Sequence, residues 1–251
     1  MPENHLITML PRNDRARLLN VCEPIELVLS DVLCEPGQLT RYVYFPIEGF
    51  ISLVTLVPDH PPLEVGMVGR EGMVGVQLAL GVLNSPLRAL VQGSGPALRI
   101  ASKAFRAELA NSVALQREMH RYLFVMLSQL ATSAACLRFH LIGERLARWL
   151  LMTQDRADSD TFHVTQEFLA YMLGVRRVGI TAAAGDLQRS GLIEYTRGEM
   201  KVLDRSGLEH AACTCYAADR QTYAAQLYAT GRPDAQASGG DGELTAARRV
   251  R

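Results

Sequence analysis

Arg176 and Arg177 stand two and three residues beyond Gly174, in the stretch LGVRRVGIT, between two segments with helical apolar spacing. A guanidinium presents its donors as a planar fork. It fits two acceptors at once, either on a phosphate or on the O6/N7 edge of guanine. Thr165 and Gln166 stand upstream, where a helix is expected to begin, and Thr181 follows one turn after Arg177. Arg197 and Lys201 flank Gly198 downstream. These residue types suit an anionic polymer, provided a scaffold aims them the same way.

Other chemistries find less support. The five cysteines, Cys22, Cys34, Cys136, Cys213 and Cys215, are scattered and include no CxxC. They read as free thiols in a reducing cytoplasm, and the CxC of Cys213 and Cys215 lacks ligands nearby in sequence. His60, His120, His140, His163 and His210 show no pair at metal-ligand spacing, so no metal is expected. GREGMVG (Gly69 to Gly75) has no following P-loop lysine and hydroxyl, and reads as a β-turn. No Ser/His/Asp set or carboxylate pair stands out, so no enzyme is expected and no cofactor is implied. The 26 basic and 26 acidic residues cancel, so any contact with a polyanion must come from a local patch. No apolar run reaches about 18 residues, the length a membrane span requires. The opening MPENHLITMLPRND lacks a basic region followed by an apolar core, so it does not read as a signal peptide.

The scaffold follows from the spacing. Thr165 caps a helix running to Met172 that buries Phe168 and Leu169. Gly174 makes the turn, and a second helix runs to Arg189. Ala170, Gly174, Val175 and Ile180 fill the slots of a helix-turn-helix: a small residue at the crossing, a glycine at the turn, and apolar residues one and six positions later. Leu169, Leu173 and Ala183 take the remaining inward positions. GLIEYTRGEMKVLD (Gly191 to Asp204) alternates around Arg197-Gly198 as a two-stranded wing. In a winged helix-turn-helix the second helix enters the major groove of double-stranded DNA and the wing lies on phosphate. Gly179 has no evident place in this scheme, since a glycine inside a helix costs about 1 kcal/mol relative to alanine.

Upstream, short strands with Gly/Pro turns predict a compact antiparallel β-roll: Tyr42 to Phe45, Phe50 to Val57, Leu63 to Val68, Leu87 to Gln92 and Ala97 to Ile100. From Ser102 the period becomes helical. Leu115, Met119, Tyr122, Met126, Leu130, Ser133 and Leu137 step by three and four, a seam that would pair with a second copy of the helix or pack on the chain's own barrel. A further helix spans Glu144 to Thr153, with Leu146, Trp149 and Leu150 inward, and DRADSD (Asp155 to Asp160) reads as a polar loop. The fold class is therefore α+β. An antiparallel β-roll covers 1–108, a long dimerisation helix 109–140, a winged helix-turn-helix DNA-binding domain 141–216, and a tail of disordered composition 217–251.

This arrangement resembles the Crp/Fnr superfamily of bacterial transcription regulators over Val21 to Tyr216. EPGQLTRYVYFPIEGFISLV (Glu35 to Val54), EVGMVGREGMVGV (Glu64 to Val76) and LQRSGLIEY (Leu187 to Tyr195) carry the resemblance. It implies a cytoplasmic homodimer with an effector-sensing β-roll that recruits or obstructs RNA polymerase at promoters. Two departures stand out. Where cyclic-nucleotide-binding members present a glutamate and an arginine, this chain has Val76 and an arginine, Arg88, displaced by one residue, so cAMP binding is not expected. Where the family commonly shows R-E-x-x-x-R, this chain has Arg177, Val178 and Ala182, which implies a different operator. Cys22 and Cys34 alone cannot ligate an iron–sulfur centre. Two further readings remain open: a sensor whose helix-turn-helix serves protein contacts, and a thiol switch through Cys22 and Cys34.

Overall fold

The computed structural model describes residues 3–228. Two short helices precede the sheets, α1 (His5–Thr8) and α2 (Arg12–Asn20). Seven strands follow: β1 (Glu23–Leu27), β2 (Val32–Cys34), β3 (Tyr42–Pro46), β4 (Phe50–Thr55), β5 (Leu63–Val68), β6 (Arg88–Gly93) and β7 (Gly95–Ala101). They form two antiparallel sheets, ordered β1-β7-β3 and β2-β6-β4-β5. Val43, Phe45, Ile51, Val91 and Ile100, drawn from both sheets, are fully buried in one core. The sequence missed α1, a single turn that buries Leu6 and Ile7, and the largely polar α2, and also β1, which is mostly exposed, and the three-residue β2. In GREGMVG, the Gly72 N–H donates to the Gly69 carbonyl at 3.0 Å, which closes the expected β-turn.

Helix α3 (Ser102–Asn111) stops at Ser112, whose extended backbone breaks the helical run. The Ser112 hydroxyl then accepts from Leu115 N–H at 3.0 Å and caps α4 (Val113–Phe139). By length and composition α4 could cross a membrane. Its apolar residues Leu115, Met119, Tyr122, Val125 and Met126 instead complete the core of the β-roll. The first half of the heptad-like seam, Leu115 to Met126, thus packs within the chain, one of the two alternatives its spacing leaves open, while Leu130 and Leu137 are half-buried. Glu118 and Gln129, expected off the seam, are buried. A different stripe faces outward, with Val113, Phe124 and Leu127 at 81%, 54% and 66% exposure.

Helix α5 (Ile142–Ala157) is longer than expected and runs into the DRADSD stretch, with Asp158 as its C-cap. It is buried along most of its length and joins the two halves of the molecule. Beyond it come β8 (Thr161–His163), α6 (Gln166–Met172), α7 (Arg177–Arg189), β9 (Ile193–Thr196), β10 (Glu199–Val202), α8 (Arg205–Ala211) and α9 (Thr214–Tyr223). A π-helical turn, Ala224–Tyr228, follows α9. The disorder expected from residue 217 does not hold through 228: Tyr223 and Leu227 insert into the β-roll core, and Asp219 is buried. Residues 229–251 lie outside the described part.

The five cysteines are free thiols, as expected, but three that are scattered in sequence meet in space. Cys136, Cys213 and Cys215 form a small buried cluster of their own where α4 ends and α9 begins. Cys22 and Cys34 are half-buried in the roll. The Cys22 thiol donates to the Leu18 carbonyl at 3.2 Å, and burial raises its pKa to about 12. Burial likewise raises that of Cys34, and a protonated thiol is a poor nucleophile.

Candidate nucleic-acid interface

Thr165 caps α6 as its spacing predicts, its hydroxyl accepting from Phe168 N–H at 3.2 Å, with Glu167 in the first turn. Helix α6 buries Leu169, Ala170 and Met172. Gly174 turns the chain at φ +59°, and Val175 N–H reaches back to the Ala170 carbonyl at 2.9 Å. Helix α7 then crosses on Ile180, Ala183, Ala184 and Leu187. At Gly179 a Cβ would sit 2.8 Å from Ile142 Cδ1, the movable end of a side chain at the start of α5, so this contact disfavours a larger residue only mildly.

The outer face of α7 carries Arg177, Val178, Thr181 and Ala182, all exposed. Arg176 is the residue before the first turn and is also exposed. Thr181 does not stand free. Its hydroxyl donates to Gln166 Oε1 at 2.7 Å, with the Arg177 carbonyl as a second acceptor at 3.2 Å. Gln166 and Thr181, expected to act separately, therefore form one polar unit across the two helices.

The wing has three strands, because β8 joins the expected pair in the order β8-β10-β9. Thr196 pairs with Glu199, which leaves Arg197 and Gly198 as a two-residue hairpin tip at φ +53° and +87°. Two consecutive positive φ values are those of a type I′ turn, which matches the strand twist and ordinarily takes Asn-Gly or Asp-Gly. Arginine in the left-handed region is strained by about 1–2 kcal/mol. The wing is braced by Val164 N–H donating to the Gly198 carbonyl at 2.7 Å and by Tyr195 Oη donating to the Val164 carbonyl at 2.8 Å. His163 Nδ1 lies 2.8 Å from Glu199 Oε1 beside the tip.

A groove of about 360 Å³ opens between the start of α6 and the wing, lined by Thr165, Gln166, Glu167, Arg177, Tyr195, Arg197 and Gly198; the Tyr171 hydroxyl donates to Glu167 Oε1 at 3.0 Å. The structure thus brings together four of the residues singled out from sequence and adds Tyr195. The alternation of GLIEYTRG placed Tyr195 on a strand without showing that it faces this groove. Arg176, the exposed residue that precedes α7, is not among the lining residues. Lys201, on β10 opposite Glu194 and Thr161, is exposed outside the groove. None of Arg176, Arg177, Arg197 or Lys201 forms an ion pair among the described residues, so each charge is open to an outside anion.

Residues 144–211 match the Crp-like helix-turn-helix domain. In fold the chain is similar to FixK2 from Bradyrhizobium japonicum, with a TM-score of 0.66 at 14% identity over 77% of this chain and 98% of that one. It is similar also to a CRP/FNR-family transcriptional regulator from Thermus thermophilus, with a TM-score of 0.62 at 21% identity over 76% and 98%. A third is the c-di-GMP-responsive global regulator CLP from Xanthomonas campestris, with a TM-score of 0.62 at 16% identity over 76% and 99%. No curated protein matches the chain.

Proposed function

We propose that this chain, which has the fold of the Crp/Fnr regulators and carries a Crp-like helix-turn-helix domain, is a sequence-specific transcription regulator that binds double-stranded DNA as a homodimer. The observation that carries the reading is the groove between α6 and the wing. Arg177 stands on the recognition helix and Arg197 on the strained wing tip, both unpaired. Arg177 reaches a base edge from the first turn of α7, while Arg197 and Lys201 meet phosphate. Strain at Arg197 persists only where the surroundings hold it, and such outliers cluster at ligand clamps.

The outward stripe of Val113, Phe124 and Leu127 on α4 supports pairing of two long helices about a two-fold axis. The β-roll then senses and the paired helices transmit, so that a signal changes the relation between the two reading heads. Arg88 ion-pairs with Glu35 at 2.9 Å, and Val76 offers no acceptor for a ribose hydroxyl; both weigh against cAMP as that signal. The fold supports contact with RNA polymerase at promoters and residence in the cytoplasm, as for regulators of this type.

The test is selection of bound sequences from a random duplex pool by the purified protein without added ligand. An enriched two-fold-symmetric site with half-sites about 34 Å apart, bound less tightly as salt rises, is the expected result. Binding that enriches nothing and ignores salt would overturn DNA recognition. It would favour a head turned to protein contacts, to which the 72%-exposed Val178 on the reading face is suited.

A further inference from the structure

Cys136 and His140 lie one turn apart at the end of α4, with His140 as the helix's C-cap. Cys213 is the N-cap of α9 and Cys215 lies in its first turn. The fold sets these two helix ends against each other. Cys136 Sγ is 3.5 Å from Cys213 Sγ, and Cys215 Sγ is 3.5 Å from His140 Nδ1. All four ligand atoms lie within 4.8 Å of one another.

We propose that Cys136, His140, Cys213 and Cys215 bind one tetrahedral divalent metal ion, with zinc as the fitting species. Zn–S bonds of about 2.3 Å and Zn–N bonds of about 2.0–2.1 Å span a tetrahedron whose edges are roughly 3.5–3.8 Å, so the shortest separations already match and the longest close by about 1 Å. The ligand set, three thiolates and one imidazole, is that of closed structural zinc sites. An iron–sulfur cluster also takes thiolates, but it spreads them around an inorganic core, and these four donors crowd toward one point. A disulfide between Cys136 and Cys213 would use two of the four groups and leave Cys215 against His140 without a purpose.

The surroundings suit the charge. Three thiolates around a divalent cation with neutral imidazole carry one net negative charge. Arg145 and Arg148 on α5 line one cavity with Cys136 and bring positive charge beside the thiols. The start of α9 adds the positive end of a helix dipole. The three cysteines are buried and His140 is partly exposed, which leaves a way in for the ion.

The ion would act as a staple. Helix α9 lies beyond the wing and sends Asp219 to Arg148, at 2.6 Å, and Tyr223 into the β-roll core. Fixing its start to the end of α4 holds the reading head against the long helix. Metal-free protein should therefore unfold at lower temperature, because binding energy to the native state alone adds to stability.

The deciding experiment is metal analysis of the full chain as purified, followed by cobalt(II) titration of the metal-stripped protein under reducing conditions. The expected result is one zinc per chain. Cobalt should bind one to one with tetrahedral ligand-field bands and thiolate charge transfer, and zinc should displace it. The wild-type spectrum decides the matter even if a variant misfolds. Cys213→Ser should lose the charge-transfer signal and the zinc-dependent rise in Tm, while Cys22→Ser with Cys34→Ser keeps both. An octahedral cobalt spectrum, several irons with sulfide per chain, a Cys136–Cys213 disulfide in the fresh protein, or full zinc retention by Cys213→Ser would each overturn the site.

Discussion

Arg145, Arg148 and Arg156 lie on one helix, α5, and are all buried; Arg176, Arg177 and Arg197 lie on α7 and the wing and are all exposed. Each member of the buried set has an internal acceptor, though Arg148 Nε is buried without one of its own. Arg145 donates to the Leu173 carbonyl in the helix-turn-helix, Arg148 to Asp219 on α9, and Arg156 to Glu71 in the turn after β5. Each ties α5 to a different part of the molecule. The exposed set ties nothing together, and no carboxylate among the described residues neutralises it. One residue type thus serves two purposes, and solvent access separates them. A buried guanidinium must find its acceptors inside the protein, because an unpaired buried charge is expensive. An exposed one can hold its donors for an incoming anion at little cost to stability.

The largest effect expected from this contrast lies in the buried set. Arg156 Nε meets Glu71 Oε1 at 2.9 Å, and both side chains are nearly excluded from water. Arg156→Met strands the Glu71 carboxylate at the joint between roll and reading head, and should cost about 3–5 kcal/mol. Urea unfolding measures it directly. Adding Glu71→Met should recover most of the loss, since an apolar pair of similar volume needs no partner. A single-variant loss below about 1 kcal/mol would mean that water reaches the pair, and the contrast with the exposed arginines would fail.

Next comes the exposed set, read through binding. Arg177→Ala should weaken binding to the selected operator by about 1–3 kcal/mol and relax base preference at one position, while leaving unfolding nearly unchanged. Lys201→Ala should weaken all duplexes about equally and reduce the salt slope by about 1. Titration of both variants on operator and random DNA separates the two roles. Equal losses on both DNAs for Arg177→Ala would remove it from base reading.

The same contrast explains what could be read from the sequence. The reading head was legible because its information is local: a cap at Thr165, a turn at Gly174, and apolar slots at Ala170, Val175 and Ile180 set α6 and α7 within a few residues of one another. The joint was not legible. Cys136 and Cys213 are 77 residues apart, and nothing near either one marks the other. The α4 seam shows a limit of another kind. Steps of three and four identify an apolar face, and the same steps serve a partner helix or the chain's own β-roll. From residue 217 the rest of α9 reads as a tail because an inward residue, Asp219, is of a type usually found outside. Arg148 makes the burial of Asp219 tolerable, and Arg148 lies on another helix.

Glu64 sharpens the comparison from the acidic side and should have a smaller effect. It sits between β5 and α5, where Trp149 Nε1 donates to Oε1 at 2.9 Å and the Ser52 hydroxyl donates to Oε2. Burial outweighs these bonds and raises its pKa to about 7. Because the folded-state pKa lies above that of the unfolded chain, the folded protein holds an extra proton between the two. The stabilisation is complete below the ordinary glutamate range and is lost as pH rises toward and through about 7. From pH 5 to pH 8 the wild type should lose about 1–2 kcal/mol more than Glu64→Gln, which keeps an acceptor for Trp149. Parallel stability curves for the two proteins would show that the carboxylate remains hydrated at the joint.

The smallest expected change in stability is at Arg197, where the two purposes of arginine conflict most openly. At φ +53° the residue occupies a backbone region that asparagine tolerates better, and Gly198 beside it already has the conformation that such turns require. Replacing the side chain removes no internal bond, since none is made by the guanidinium among the described residues. Arg197→Asn should therefore leave stability unchanged or raise it by up to about 1 kcal/mol. The same change removes a cation from the wing tip, so affinity for operator and for random duplex should fall together, with a shallower salt slope. Stability and affinity moving in opposite directions would identify Arg197 as a residue kept under strain for its contact with phosphate. If both fell, the arginine would be holding the wing together, and the exposed set would have lost the member that most clearly distinguishes it from the buried one.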